Sequence, residues 1–345
     1  MSKILIIRFS ALGDVAMTIP VIYSLAQEFP MHEITVLSRS TFQPLFQELP
    51  SNVHFLGVDL KGKYKGISGL NLLYKELEVE KYSYVADFHS VLRSQYLRIR
   101  FMLDGIPTAS IDKGRREKKR LTQKNHKVFT ALKSGFNRYY EVLEKLGFKF
   151  KLSFTSVLES KKNNLSAQVL QAGKKGDFKW LGIAPFAKHK GKIYPLELQE
   201  KVIAHLAGDS RIKVFIFGGG EEEKNIINGW CETYPTITSM VGKLNLSQEL
   251  DLMSQLDLMY SMDSANMHLA SLVNTPVISL WGATHPYAGF MGWNQSLEHA
   301  IQVDLSCRPC SIYGQIPCYR KDYACLYQIT PEQIINRIEN VLFEI

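Results

Sequence analysis

Lys3-Ile-Leu-Ile-Ile7, continued by Arg8-Phe-Ser-Ala-Leu-Gly-Asp14, is the stretch whose reading decides the fold. Four unbroken apolar residues after Lys3 predict a strand covered on both faces, as in a parallel sheet. Residues 8–13 then read as a loop. Val15, Ile19, Ile22 and Leu25-Ala26 recur at helical spacing until Pro30 ends the pattern. Glu33-Ile-Thr-Val-Leu37 is the next strand. A strand–helix–strand opening of this kind predicts a doubly wound α/β domain. Tyr84-Val-Ala-Asp87 reads as a later strand of the same sheet, with residues 88–93 at its carboxyl end.

The polar stretch 159–177 has weak periodicity and reads as a linker. Beyond it the alternation restarts. Trp180-Leu-Gly-Ile-Ala184 and Lys213-Val-Phe-Ile-Phe217 are strands, with a helix expected over 196–207. Residues 256–261 and 277–281 continue the series. Thr330-Pro331-Glu332-Gln333 carries the signature of a helix N-terminus, a capping box with proline in the first turn. The expected organisation is an N-terminal domain over 1–160, a second α/β domain over 178–328 and a closing helix over 329–345. At roughly 150 residues per domain, a chain of 345 fits two.

Composition excludes several classes. Apolar residues make up 46% and charged residues 21%, the balance of a soluble globular protein rather than a disordered chain. The apolar runs are too short to span a bilayer, and Arg8 and Asp14 interrupt what a signal peptide would need as a continuous apolar core. Net charge is +8, but residues 113–138 alone hold ten Lys or Arg against Glu117, a local +9, so the remainder carries −1. One basic segment on a near-neutral protein attracts phosphate-rich partners, or serves only as a solubilising loop.

In open parallel sheets, ligands gather beyond the carboxyl ends of the strands. Most distinctive residues fall there, at 8–14, 87–93, 218–223, 263–268 and 282–286, which predicts a cleft between the domains. Gly218-Gly-Gly220 permits close backbone approach to an anion or a tight structural turn. It lacks the dinucleotide spacing, and no Walker sequence occurs, so a dehydrogenase or P-loop ATPase is not expected. Asp263-Ser-Ala-Asn-Met-His268 places Ser264 and Ala265 at a helix start suited to a diphosphate, and His268 in the first turns. The alternative is an N-cap with a packed core histidine. Asp14 reads either as a general base or as an N-cap. Lys188, His189, Lys190 and Lys192 are suited to neutralising phosphates, or form an exposed loop. No Asp-x-Asp pair or His-Glu-x-x-His motif indicates a catalytic divalent metal.

With these residues assembled, the chain resembles glycosyltransferase family 9, the lipopolysaccharide heptosyltransferase-like enzymes. The resemblance rests on Arg8-Phe-Ser-Ala-Leu-Gly-Asp14, Asp87-Phe-His89 through Arg93-Ser94, Lys192-Ile-Tyr-Pro195, Gly219-Gly-Glu221, Asp263-Ser-Ala-Asn-Met-His268-Leu-Ala and Gly282-Ala-Thr-His-Pro286, in family order. It implies a GT-B fold, two Rossmann-like domains facing across a cleft. It also implies inverting, metal-independent transfer of a sugar, ADP-heptose being the best-known donor, to the inner core of lipopolysaccharide. Asp14 would be the base and Lys192 would neutralise the leaving diphosphate. Gly13, Lys188, Glu221, Asp263, Ser264, Ala265 and His268 would bind the donor. Asp87, His89, Arg93, Arg115, Arg116 and Arg120 would bind the acceptor. Ala265 stands where the family has glycine, and Ala187-Lys188 where relatives often carry hydroxyls. The expected place of work is cytoplasmic, peripheral on the inner face of the inner membrane with its anionic lipids, and no nucleic acid partner is expected.

Cys307, Cys310, Cys318 and Cys325 lie within nineteen residues. Structural zinc, buried reduced thiols and a disulfide all remain open for them; no cofactor is required for the expected chemistry. Two rival functions also remain. A sugar-nucleotide hydrolase or epimerase would consume the donor without acceptor. A nucleic-acid-binding protein built on the basic segment and a zinc knuckle would show steep salt dependence and loss of binding on chelation.

Overall fold

The structure is a computed structural model that describes residues 1–159, 176 and 178–344. The linker read at 159–177 therefore lies, apart from Glu159 and Gly176, outside the described residues. The chain divides into two compact units, Met1–Lys113 with Ser134–Ser160, and Gly114–Lys133 with Lys161–Ile345.

The first unit carries five parallel strands, β1 (Lys3–Ile7), β2 (Glu33–Arg39), β3 (Val53–Val58), β4 (Tyr84–Asp87) and β5 (Thr108–Ser110), in the order β3-β2-β1-β4-β5. Ile4 to Ile7 are all buried, as the apolar run requires. One side of the sheet packs on the helices Gly66–Glu78 and Leu92–Leu103 through Leu5, Ile7, Leu73, Leu77, Leu97 and Phe101, which belong to one core cluster. The chain runs outward from β1 to β3, then returns to β4 on the other side of β1. The carboxyl ends of β1 and β4 therefore flank a topological switch point, with Ile7 in register with Asp87.

The second unit repeats the plan with six parallel strands: β6 (Lys179–Ala184), β7 (Ile212–Ile216), β8 (Ile237–Ser239), β9 (Leu258–Met262), β10 (Val277–Leu280) and β11 (Ala300–Ile301). Their order is β11-β10-β9-β6-β7-β8, which puts the switch point between β6 and β9. The closing helix, Pro331–Phe343, has the expected capping box: Gln333 N–H donates to Thr330 Oγ1 at 3.3 Å and Thr330 N–H to Gln333 Oε1 at 2.9 Å. It is not separate, because Ile334, Ile338 and Leu342 join the core of this unit.

Residues 114–133, read from sequence as part of the N-terminal domain, cluster with the second unit. The reason lies in side-chain chemistry that charge counting does not see. Lys118 Nζ sits 4.7 Å from the ring centre of Phe290. Lys127 Nζ donates to the carbonyls of Ser306, Arg308 and Pro309 at 3.2, 2.7 and 3.1 Å. Phe129 packs edge-on against His285. No helix among the described residues is long and apolar enough to cross a membrane.

Candidate active site

At the switch point of the first unit, the loop after β1 leads into the short helix Leu12–Ala16. Ala11 occupies the N-cap position, and Asp14 stands in the first turn rather than at the cap. The Oδ2 of Asp14 accepts from Ala11 N–H at 3.3 Å and pairs with Arg8 Nη2 at 2.7 Å. Arg8 is buried; its Nη1 donates to the carbonyl of Phe88 at 2.8 Å, and its guanidinium lies over the Tyr139 ring. Tyr139 in turn stacks on Phe88 and donates its hydroxyl to the Asp14 carbonyl at 3.3 Å. A charged pair is thus held by both strand-end loops, with the Asp14 carboxylate one-third exposed.

Asp87 and His89 support this corner. Asp87 is fully buried; its Oδ1 accepts from the N–H groups of His89 and Ser90 at 3.0 and 2.7 Å, and Arg98 stands 3.6 Å from its other oxygen. Its carboxylate folds the turn after β4. His89 Nδ1 accepts from Phe9 N–H at 3.3 Å, linking that turn to the loop after β1. Burial, with the nearby Arg8 and Lys113 cations, lowers the His89 pKa to about 3, so the ring is neutral at physiological pH. Gly13 is half-buried beside Asp14, while Arg93 is exposed on the first turn of its helix.

At the switch point of the second unit, Lys192 Nζ pairs with Asp263 Oδ2 at 3.0 Å. Asp263 follows β9 and is almost wholly buried. Ser264 is the N-cap of the helix Ala265–Leu272, and its Oγ meets Ser261 Oγ at 3.2 Å rather than bonding the helix backbone. Ser264 and Ala265 are half-buried and leave the helix N-terminus to other partners; His268 is buried within the helix. Lys192 reaches this place because two loops touch backbone to backbone. Ala283 N–H donates to Gly191 O at 2.8 Å, and a Cβ on Gly282 would stand 2.6 Å from that same oxygen. Lys188 lies nearby in sequence but is exposed.

Three features here were not read from the sequence. Glu221 has an exposed side chain near Lys224, and it is Glu223 whose Oε2 accepts from Gly219 N–H at 2.8 Å, its pKa raised by burial. Three adjacent glutamates gave no local signal of which one turns inward. Arg308 is buried and donates to the carbonyls of Gly282, Trp281 and Thr284 at 2.6, 2.9 and 3.0 Å, and to Val303. It anchors the loop after β10 that carries Gly282. Gly314, at φ +78°, packs against Lys192, since a Cβ there would stand 2.5 Å from its Cγ.

The basic helix Arg115–Leu121 exposes Arg115, Arg116 and Arg120. The four clustered cysteines surround one cavity of about 10 Å³, and all are free thiols. Burial pushes the Cys325 thiol up to about 12, so it is protonated at neutral pH. Among the described residues no group of three His, Cys, Asp or Glu is placed to hold a metal ion.

Residues 71–317 match Glycosyltransferase family 9 (heptosyltransferase). The chain belongs to that family and is a glycosyltransferase of the heptosyltransferase class. It is 23% identical over 336 residues to the lipooligosaccharide heptosyltransferase 2 of Campylobacter jejuni, covering 96% of this chain and 95% of that one. Its fold is similar to a family 9 glycosyl transferase from Veillonella parvula, with a TM-score of 0.74, 20% identity and coverage of 100% and 98%. It is also similar to the E. coli heptosyltransferase WaaC solved with ADP, with a TM-score of 0.69, 18% identity and coverage of 98% and 99%. The two parallel sheets are those of the GT-B architecture expected from the sequence.

Proposed function

We propose that this enzyme transfers heptose from ADP-heptose to the inner core of lipopolysaccharide, with inversion and without a catalytic metal. The relative from C. jejuni is named for lipooligosaccharide heptosyl transfer and the E. coli neighbour was solved with ADP; both names support the choice of substrates. Among the chain's own residues, the observation that carries the reading is the Lys192–Asp263 pair beside the helix N-terminus at Ser264 and Ala265. A lysine held at a helix start offers a cation and free N–H groups to a diphosphate.

In this reading Asp14 takes the proton of the acceptor hydroxyl as its oxygen attacks the anomeric carbon. The bond from that carbon to the diphosphate breaks, ADP departs, and the configuration inverts. Lys192 and the N–H groups at Ser264 and Ala265 stabilise the charge that collects on the leaving diphosphate. Gly13 lets the backbone approach the sugar, Glu221 is the candidate ribose contact, and His268 and Lys188 complete the donor set. On the acceptor side, Asp87 holds the turn carrying His89, and Arg93, Arg115, Arg116 and Arg120 meet acceptor phosphates. The enzyme would work at the cytoplasmic face of the inner membrane.

A thermal-shift panel of ADP, UDP, GDP and CDP, each without metal and with magnesium, tests the donor assignment. Ligand at 100 times its dissociation constant should stabilise the fold by about 2.7 kcal/mol. Selective stabilisation by ADP without magnesium is the expected result. Preference for another nucleotide overturns the donor, and transfer that requires magnesium overturns the metal-free mechanism.

A further inference from the structure

The helices Gly66–Glu78 and Leu92–Leu103 lie side by side on one face of the first sheet. Arg100 Nη1 donates to Asn71 Oδ1 at 2.9 Å, Tyr96 also bonds Asn71, and Tyr74 bonds Asp104. Residues 71 and 74 thus meet 96, 100 and 104, so the two helices run in the same direction. Each follows the carboxyl end of a strand, and their N-termini therefore share the edge of the sheet that carries Asp14 and His89.

The inner side of this helix pair is core, yet the outer side is apolar as well. Leu92 is 86% exposed and Ile67 71% exposed, with Leu72 and Ile99 also open to solvent. Leu92, Ile99 and Leu103 are exposed at i, i+7 and i+11 along the helix, with partly buried Tyr96 at i+4 between them. Exposed Lys65 and Arg93 flank the N-terminal ends. Helix Leu92–Leu103 contains no acid, and the acids of its neighbour, Glu76 and Glu78, fall in the last turn.

We infer that the N-terminal ends of these two helices, with the exposed apolar side chains that continue from them, dock on an anionic lipid bilayer. Apolar side chains edged by cations are what an interfacial helix presents to the boundary of headgroups and acyl chains. The charge argues against a second copy of the chain as occupant, because a two-fold contact places the same patch on both sides and so brings two like-charged patches into one interface. Docked this way, the edge carrying Asp14 would lie next to the surface in which a lipid-linked acceptor is anchored. The inference rests on the proposed function only for that acceptor; bilayer binding itself needs neither donor nor acceptor.

The test is flotation of the full-length protein with vesicles of phosphatidylcholine alone, and with phosphatidylglycerol added. The parent should float with the anionic vesicles, and the Ile67→Ser/Leu92→Ser/Ile99→Ser variant should lose roughly 10-fold or more of that partitioning. Because all three positions are exposed, its unfolding curve should match the parent's. A second variant, Arg115→Ala/Arg116→Ala/Arg120→Ala, should still float. Equal flotation of parent and serine variant overturns the inference, as does a loss confined to the arginine variant. Light scattering that shows a dimeric parent and a monomeric serine variant would instead make the face a self-association surface. Vesicle binding without heptosyl transfer would sink the proposed function and leave this inference standing.

Discussion

Arg8 Nη2 lies 2.7 Å from Asp14 Oδ2, and the same guanidinium donates through Nη1 to the Phe88 carbonyl. The carboxylate proposed as base is therefore oriented by a buried cation that is itself fixed by the strand on the far side of the switch point. Among the described residues, both bonds of the carboxylate fall on Oδ2.

Asp14→Asn should lower kcat by about 10²–10⁴-fold, the usual contribution of a general base. The amide oxygen can still accept from Arg8 and Ala11, so folding and ADP affinity should stay close to the parent's. Steady-state rates together with calorimetric ADP titration check this. A near-normal rate removes Asp14 from the mechanism.

Lys192→Met should weaken ADP binding by about 10-fold or more, the loss of one charge-assisted contact to phosphate. It also strips Asp263 of its cation in a nearly sealed place. The unfolding midpoint should fall by several degrees, since a buried charge left unpaired costs on the order of a few kcal/mol. Unchanged ADP affinity would exclude Lys192 from the donor site.

Acid should destabilise the fold through His89. Its folded pKa of about 3 lies below the unfolded value of 6.5, so between these pH values the unfolded chain binds the extra proton. Stability is full above pH 6.5 and falls as pH drops toward 3, by about 1.4 kcal/mol per pH unit for one such group. His285, lowered to about 4 by burial and Arg308, acts in the same sense. His89→Gln keeps an acceptor for Phe9 N–H but cannot titrate. Urea unfolding at pH 7 and pH 5 should show a smaller loss in this variant than in the parent.

Arg308→Met should loosen the loop after β10, leaving the carbonyls of Trp281, Gly282 and Thr284 without their shared donor. The cost is a few kcal/mol of stability, and ADP affinity should fall because Gly282 braces Gly191 and hence Lys192. Calorimetric unfolding and ADP titration of the same variant read both effects. Unaltered unfolding would show that the guanidinium is dispensable to the loop.

Much of this was legible in the primary structure. The strands at Lys3–Ile7, Tyr84–Asp87 and Lys179–Ala184 stand where apolar runs placed them, because a strand covered on both faces must be apolar throughout. Asp263 was visible because it directly follows β9 and meets a helix start, and Asp14 because it stands in the first turn of the helix entered from the loop after β1. Glu223 and Arg308 were not. A carboxylate that turns in to a glycine loop looks the same in sequence as its two neighbours, and an arginine between two cysteines gives no hint that it ties down carbonyls more than twenty residues earlier.

What the sequence alone determined was the alternation of strand and helix, the two doubly wound sheets and the motifs at their carboxyl ends, since periodicity and chain order are local properties that burial imposes on consecutive residues. What only the tertiary structure decided was partnership. The basic stretch 114–133 joined the second unit through Phe290, Tyr313 and the carbonyls at 306–309, against the direction its chain position suggested. The four cysteines gathered around one small cavity as free thiols. Such choices depend on distances between residues far apart along the chain, and those distances exist only once the sheets have formed.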